Sequence, residues 1–161
     1  MSMKFSINTE DFSSRFIVLD NESLERYSVK NEMDSVMRKL TIYDLADNVV
    51  CTVEKKFFTL RPTYVVYNRH NQLVINIRKK LNLLRPVFTI TSELDEVKFH
   101  TIGDYFGENF SITSKDEQEI IAKVVRKNGY KIEIIDSEHD VPALIAIVII
   151  IHLCCHYTKD E

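Results

Sequence analysis

From residue 38 to residue 135 the apolar positions fall in short runs separated by polar clusters. Residues 40–43, 49–53, 63–67, 73–77, 87–90 and 131–135 are rich in Val, Ile, Tyr, Phe and Thr, and several alternate at period two. Successive side chains on an extended strand point to opposite faces, so these runs predict β-strands. Weaker runs at 4–7, 15–19, 24–29, 98–101 and 106–113 bring the expected count to about twelve strands. Polar clusters at 44–48, 68–72, 91–95 and 114–118 read as turns. Their starts are 24, 23 and 23 residues apart. A unit of that length holds two strands and two turns, so the pattern predicts a meander of antiparallel hairpins.

The connections between those turns also repeat. Lys55-Lys-Phe-Phe-Thr-Leu-Arg-Pro62 returns 24 residues later as Lys79-Lys-Leu-Asn-Leu-Leu-Arg-Pro86. A weaker echo is Val124-Val-Arg-Lys-Asn-Gly-Tyr130. Pro62 and Pro86 cannot donate to a ladder and belong at strand starts. Asn128-Gly129 suits a tight hairpin turn.

The pattern changes at residue 141. Residues 141–151 carry no polar side chain, and His152 ends the run. A bilayer-spanning helix needs roughly 20 apolar residues, and shorter runs are more often buried core helices. Asp140 suits an N-cap, and Pro142 falls in the first turn, where proline is tolerated. Residues 142–157 make about 24 Å of helix. A helix apolar on every face must be surrounded. One sheet covers one side only. A meander closed into a barrel covers all sides, and strands of six to eight residues rise roughly 20–26 Å, which matches. The expected architecture is a closed antiparallel β-barrel of about twelve strands around a buried hydrophobic C-terminal α-helix at about 141–157. A tail anchor is the rival reading. The acidic and basic residues on both flanks of the run lack the strong positive bias that orients such anchors.

Composition narrows the picture. The chain has 161 residues, enough for one domain with its own core, with 45% apolar and 28% charged residues. We read it as a single domain over residues 1–161. The net charge of -3 does not advertise nucleic-acid binding. Cys51, Cys154 and Cys155 form no C-x-x-C spacing, which points to a reducing compartment. The first residues contain no apolar signal-like core. The expected address is the cytoplasm, with peripheral attachment to a membrane as an option.

The order of motifs resembles the LURP-one-related family. The Lys-Lys-x-x-x-Leu-Arg-Pro units are followed by Gly103-Asp-Tyr-Phe-Gly-Glu-Asn-Phe-Ser-Ile112, by Ile121-Ala-Lys-Val-Val-Arg-Lys127 and by the apolar helix. The resemblance runs from about residue 40 to residue 157. It implies a twelve-strand barrel around a central hydrophobic helix. It also implies kinship with tubby C-terminal domains, which bind phosphoinositides through basic residues on the barrel, and with phospholipid scramblases. An Asp-x-Asp-x-Asp-Gly calcium loop and an upstream cysteine-rich stretch are both missing, which speaks against scramblase activity.

Candidate chemistry is sparse. Alternate connections of a meander lie at the same end. Lys55, Lys56, Arg61, Lys79, Lys80, Arg85, Arg126 and Lys127 should therefore gather at one rim, and the acidic turns at the other. Such a rim suits a phosphate or an anionic lipid head group, at about 1 kcal/mol per basic residue near a membrane. The same charges also serve as solvated strand ends that discourage edge pairing. Lys55 and Lys56, being adjacent, should face opposite ways, so one of each pair at most serves one site.

His152 and His156 share a helix face at zinc-ligand spacing, beside Cys154 and Cys155. The Glu of H-E-x-x-H is missing and no third ligand is evident. Small cysteines packed inside and histidines near water at the barrel mouth explain the same residues. Cys51 alternates with Val49 and Val53 and reads as core. With glycine only at 103, 107 and 129, neither phosphate-binding glycine motif exists. No G-x-S-x-G nucleophile elbow is present. The expectation is a non-enzymatic binding or regulatory protein without metal or cofactor. Its expected partners are anionic membrane lipid or another protein, not nucleic acid. Alternatives are a carrier or enzyme for a small apolar ligand in the barrel, and a tail-anchored protein with a scramblase-like role.

Overall fold

A computed structural model of the chain describes residues 2–9, 12–57, 60–80, 87–92, 98–103, 109–114, 119–135 and 140–156. The fold is mainly β, an antiparallel sheet with one C-terminal helix. The strands are β1 (Met3–Ile7), β2 (Arg15–Asp20), β3 (Glu25–Glu32), β4 (Lys39–Tyr43), β5 (Val49–Lys55), β6 (Thr63–Asn68), β7 (Leu73–Lys80), β8 (Val87–Ser92), β9 (Lys98–Gly103), β10 (Asn109–Ser114), β11 (Ile120–Arg126) and β12 (Tyr130–Ile134), followed by α1 (Val141–His156). Each strand pairs with its chain neighbours, and β1 also pairs with β12. The β1–β12 ladder runs from Met3↔Ile134 to Ile7↔Tyr130. Two seams are thin: β1–β2 and β8–β9 each hold two register pairs.

Three turns are built alike. Asp20, Asp44 and Asn68 lie 24 residues apart, since 44 − 20 and 68 − 44 are both 24. In each, Oδ1 accepts hydrogen bonds from the backbone N–H groups two and four residues on. In each, the first residue's N–H donates to the carbonyl of the fifth, and the fourth residue takes a positive φ, at Ser23, Asp47 and Asn71. An Asp or Asn side chain that mimics a backbone turn explains the recurrence. The Asp20 turn is an earlier copy of the repeat, unmarked in the sequence pattern because Leu24 sits where the later copies carry Asn48 and Gln72.

Bulges bend the strands close to this end. Register shifts fall at Val18/Leu19, Ile42/Tyr43, Val66/Tyr67 and Ile112/Thr113. An extra residue at one end of alternate strands increases local twist and curvature, which a closed wall needs.

The helix packs into the core that the inward faces of the strands line. Asp140 Oδ1 accepts from the Ala143 N–H at 3.2 Å, the N-cap contact expected of this residue. Every side chain from Ala143 to Cys154 is buried. Inward strand residues such as Leu40, Ile42, Val53, Val66, Ile77, Ile112 and Ile132 belong to the same core cluster. An all-apolar helix is stable in water only when wrapped in this way. No helix of the described residues is long and apolar enough to cross a membrane. The apolar surface of α1 is already used inside the fold, which removes the basis for reading it as a tail anchor.

Several expectations are corrected. Thr91, expected to start a turn, lies in β8, which runs on to Ser92 in register with β7. Ser114 ends β10 and opens its connection as expected, its N–H donating to the Glu119 carbonyl. Of the run 106–113, the strand begins at Asn109, and 106–108 lie outside the described residues. The helix is described to His156, not to 157.

Candidate functional site

Alternate connections do share an end, as a meander requires. The strand alternation Cys51, Val53, Lys55 carries Lys55 to the inner face at the end of β5. Ile75, Ile77, Lys79 does the same in β7. Both lysines converge on the C-terminal end of α1. Lys79 Nζ donates to the Cys154 carbonyl at 3.3 Å. Lys55 Nζ lies 5.9 Å above the Tyr64 ring, and Tyr64 is its register partner on β6. The last carbonyls of a helix lack intrahelical donors and carry about half a negative charge. Two half-buried ammonium groups at that position complement it, and Lys79 satisfies one orphan carbonyl outright.

The thiol of Cys154 sits in the same cluster and donates to Tyr64 Oη at 3.5 Å, a weak contact. Burial pushes the Cys154 thiol above its ordinary range, against the opposing pull of the Tyr64 hydroxyl and of Lys79 and Lys55. Burial likewise raises Tyr64, with Cys154 adding to the effect. Cys51 is raised by burial too. A thiol held protonated is a poor nucleophile.

His152 is buried, not near water as expected from its place at the helix end. The Tyr130 hydroxyl of β12 lies 2.6 Å from His152 Nδ1 and provides the partner that makes burial tolerable. Phe12 packs tilted against both rings, its centroid 4.5 Å from that of His152 and 5.3 Å from that of Tyr130. Nothing in the sequence pairs position 130 with position 152. Among the described residues no group of three or more His, Cys, Asp or Glu gathers to hold a metal. Cys155 and His156 are described in backbone only.

The remaining basic residues divide by exposure. Lys56, Arg61 and Lys127 are exposed. Arg126 is half-buried, its guanidinium carbon 6.0 Å over the Tyr130 ring. Since Tyr130 meets His152 near the end of α1, Arg126 and Lys127 belong to the same rim as Lys55 and Lys79. The predicted opposition within the Lys55–Lys56 pair is present: Lys55 turns in to the helix end and Lys56 turns out. Lys80 is described in backbone only, and Arg85 lies outside the described residues. At the opposite end, Asp140 at the helix start neighbours Arg69 and Tyr27. Burial holds the Asp140 carboxyl above its usual value, opposed by the Ala143 N–H and Arg69.

Sequence reasoning missed one feature of the basic rim. Its two nearest connections, 33–38 and 56–62, carry exposed apolar side chains between the charges. The guanidinium of Arg38 lies 4.7 Å over the Phe57 ring, and the Lys55 N–H donates to the Arg38 carbonyl at 3.0 Å, so the two connections touch. Between them lies an open depression of about 390 Å³ that Met33, Asp34, Val36 and Phe57 help to line.

Comparison with known proteins gives two findings. A family model described as LURP-one-related matches residues 3–152. The X-ray structure of a protein from Arabidopsis thaliana superposes with a TM-score of 0.68 at 14% identity, covering 93% of this chain and 89% of that one. At that identity the likeness speaks to fold alone. No curated protein matches the chain.

Proposed function

This chain belongs to the LURP-one-related family, and on that premise we propose that it is a non-enzymatic binding barrel that docks on anionic phospholipid through its basic rim. One observation carries the reading. The helix occupies the space inside the strands with buried side chains from Ala143 to Cys154, so binding falls to the outside, where Lys56, Arg61 and Lys127 project. The inward lysines, Lys55 and Lys79, have a structural task at the helix end, and the exposed cations are the ones left for a ligand. A wall of strands that encloses the helix completely is part of this proposal, despite the thin β1–β2 and β8–β9 seams. So is the kinship with tubby domains, whose phosphoinositide binding uses basic residues on a barrel. The filled lumen speaks against a carrier or enzyme for an apolar ligand.

Liposome co-sedimentation tests the reading. The full chain is compared with a variant carrying Lys56→Gln, Arg61→Gln and Lys127→Gln, on neutral and on phosphatidylserine-containing vesicles. At about 1 kcal/mol per cation, the variant should bind anionic vesicles at least about tenfold more weakly. Binding should weaken with salt as well. Equal pelleting of both proteins, or none of either, rejects the proposal.

A further inference from the structure

The rim carries more than charge. Leu60 is 99% exposed, Val36 90%, Met37 57% and Phe57 55%. Four large apolar side chains at one end of a small domain lose apolar burial that the core elsewhere secures. The 33–38 connection is a formed turn and not a slack segment. Ser35 Oγ donates to the Glu32 carbonyl at 2.8 Å and accepts from the Met37 N–H at 3.1 Å. The Arg38 N–H donates to the Ser35 carbonyl at 3.2 Å, and Arg38 holds a positive φ of 46°. These bonds present Val36 and Met37 outward. On the neighbouring connection the Lys56 N–H donates to the Thr63 carbonyl at 2.8 Å, and Thr63 Oγ1 donates to the Arg61 carbonyl at 3.0 Å.

Three of the four apolar tips have a cation beside them in the chain: Met37 with Arg38, Phe57 with Lys56, Leu60 with Arg61. Against these three cations the two connections hold one carboxylate, Asp34, in a chain whose net charge is -3. A protein partner would ask for a complementary apolar pocket with acid around it. An anionic bilayer meets the pattern as it stands: acyl chains accept isolated apolar side chains, and the cations remain at phosphate level. We infer that the 33–38 turn and the described residues 56–57 and 60–62 form a paired wedge that inserts Val36, Met37 and Leu60 into the interfacial region of an anionic bilayer, with Arg38, Lys56 and Arg61 on its head groups. The inference rests on the lipid-docking reading above and adds insertion to it.

The chain contains no tryptophan, so Leu60→Trp gives a single reporter of its surroundings. Its emission should shift to the blue on addition of vesicles of phosphatidylcholine with phosphatidylserine, and not with phosphatidylcholine alone. A second variant, Val36→Ser with Met37→Ser and Leu60→Ser, alters only exposed positions and should melt like the parent. It should pellet with anionic vesicles about tenfold less at physiological salt. If this variant pellets like the parent and the Leu60→Trp emission stays unchanged on bound vesicles, insertion is wrong and charge-based docking survives. If the parent does not pellet, both fall. A parent dimer in solution that the serine variant dissolves, without vesicle binding, assigns the patch to a second copy of the chain and overturns the wedge.

Discussion

The Tyr130 hydroxyl and His152 Nδ1 lie 2.6 Å apart in the core, joining the last strand to the last turns of the helix. Tyr130→Phe removes a hydrogen-bond partner from a buried imidazole nitrogen. It should cost about 1–3 kcal/mol in urea unfolding. Tyr64→Phe is the control, because its hydroxyl accepts a weak bond from the Cys154 thiol at 3.5 Å, and it should cost less. Equal costs at the two sites would mean that the Tyr130–His152 bond contributes no more than packing.

Among the described side chains, the helix shares one core cluster with residues of β1–β8 and β10–β12. Ile147 is fully buried, so Ile147→Ala should destabilise by about 2–5 kcal/mol. Leu45, exposed in the Asp44 turn, should tolerate Ala within about 0.5 kcal/mol. Deleting residues 142–157 should abolish cooperative unfolding altogether. A deletion product with a sharp thermal transition would show that the strands hold together without their filling.

Gly129 has φ +106°, and a Cβ there would sit 2.1 Å from the Ile7 carbonyl oxygen. Gly129→Ala should therefore combine backbone strain with displacement of β1, at a cost of about 1–3 kcal/mol or more. Asn128→Gly, at a residue with φ 53°, should be close to neutral. Differential scanning calorimetry separates the two.

Two carboxylates should give pH dependences of opposite sign. The Asn48 N–H, the largest stabilising contact on Asp44, holds that carboxyl below its usual value of 3.8. Its contribution is present above 3.8 and is lost as pH falls through the lower folded value. Burial holds Asp140 above 3.8. Its contribution is fully present below 3.8 and is lost as pH rises through the higher folded value. Asp140→Asn keeps the N-cap and should therefore raise stability at neutral pH, while Asp44→Ala should lower it. Unfolding midpoints from acid to neutral pH read both signs, and a loss of stability in Asp140→Asn at neutral pH would contradict the burial argument.

The parts legible in the chain were those set by local chemistry. Asp44 and Asn68 announce their turns through side chains that bond their own backbone. The run from Val141 to Ile151 announces a wrapped helix through the absence of any polar face. Lys55 and Lys56 announce opposite faces by adjacency. What escaped depends on three-dimensional neighbours. His152 looks solvent-facing until Tyr130 arrives from another strand. Leu60 falls in a connection that the repeat marks, but that it and Val36 stand outward together is seen only in the fold. The Asp20 turn was within reach, since the 24-residue period extends back to it.

The pairing of β1 with β12 also bears on how the protein is born. The first strand leaves the ribosome long before the partner it needs, and α1 emerges after every strand. At typical synthesis rates the gap between Met3 and His156 is roughly 8–30 s. From their own emergence until that of α1, Leu40, Ile42 and Val53 have no helix to cover them. Completion of the fold waits for α1, and the nascent strands must be kept from pairing with other chains until the core arrives.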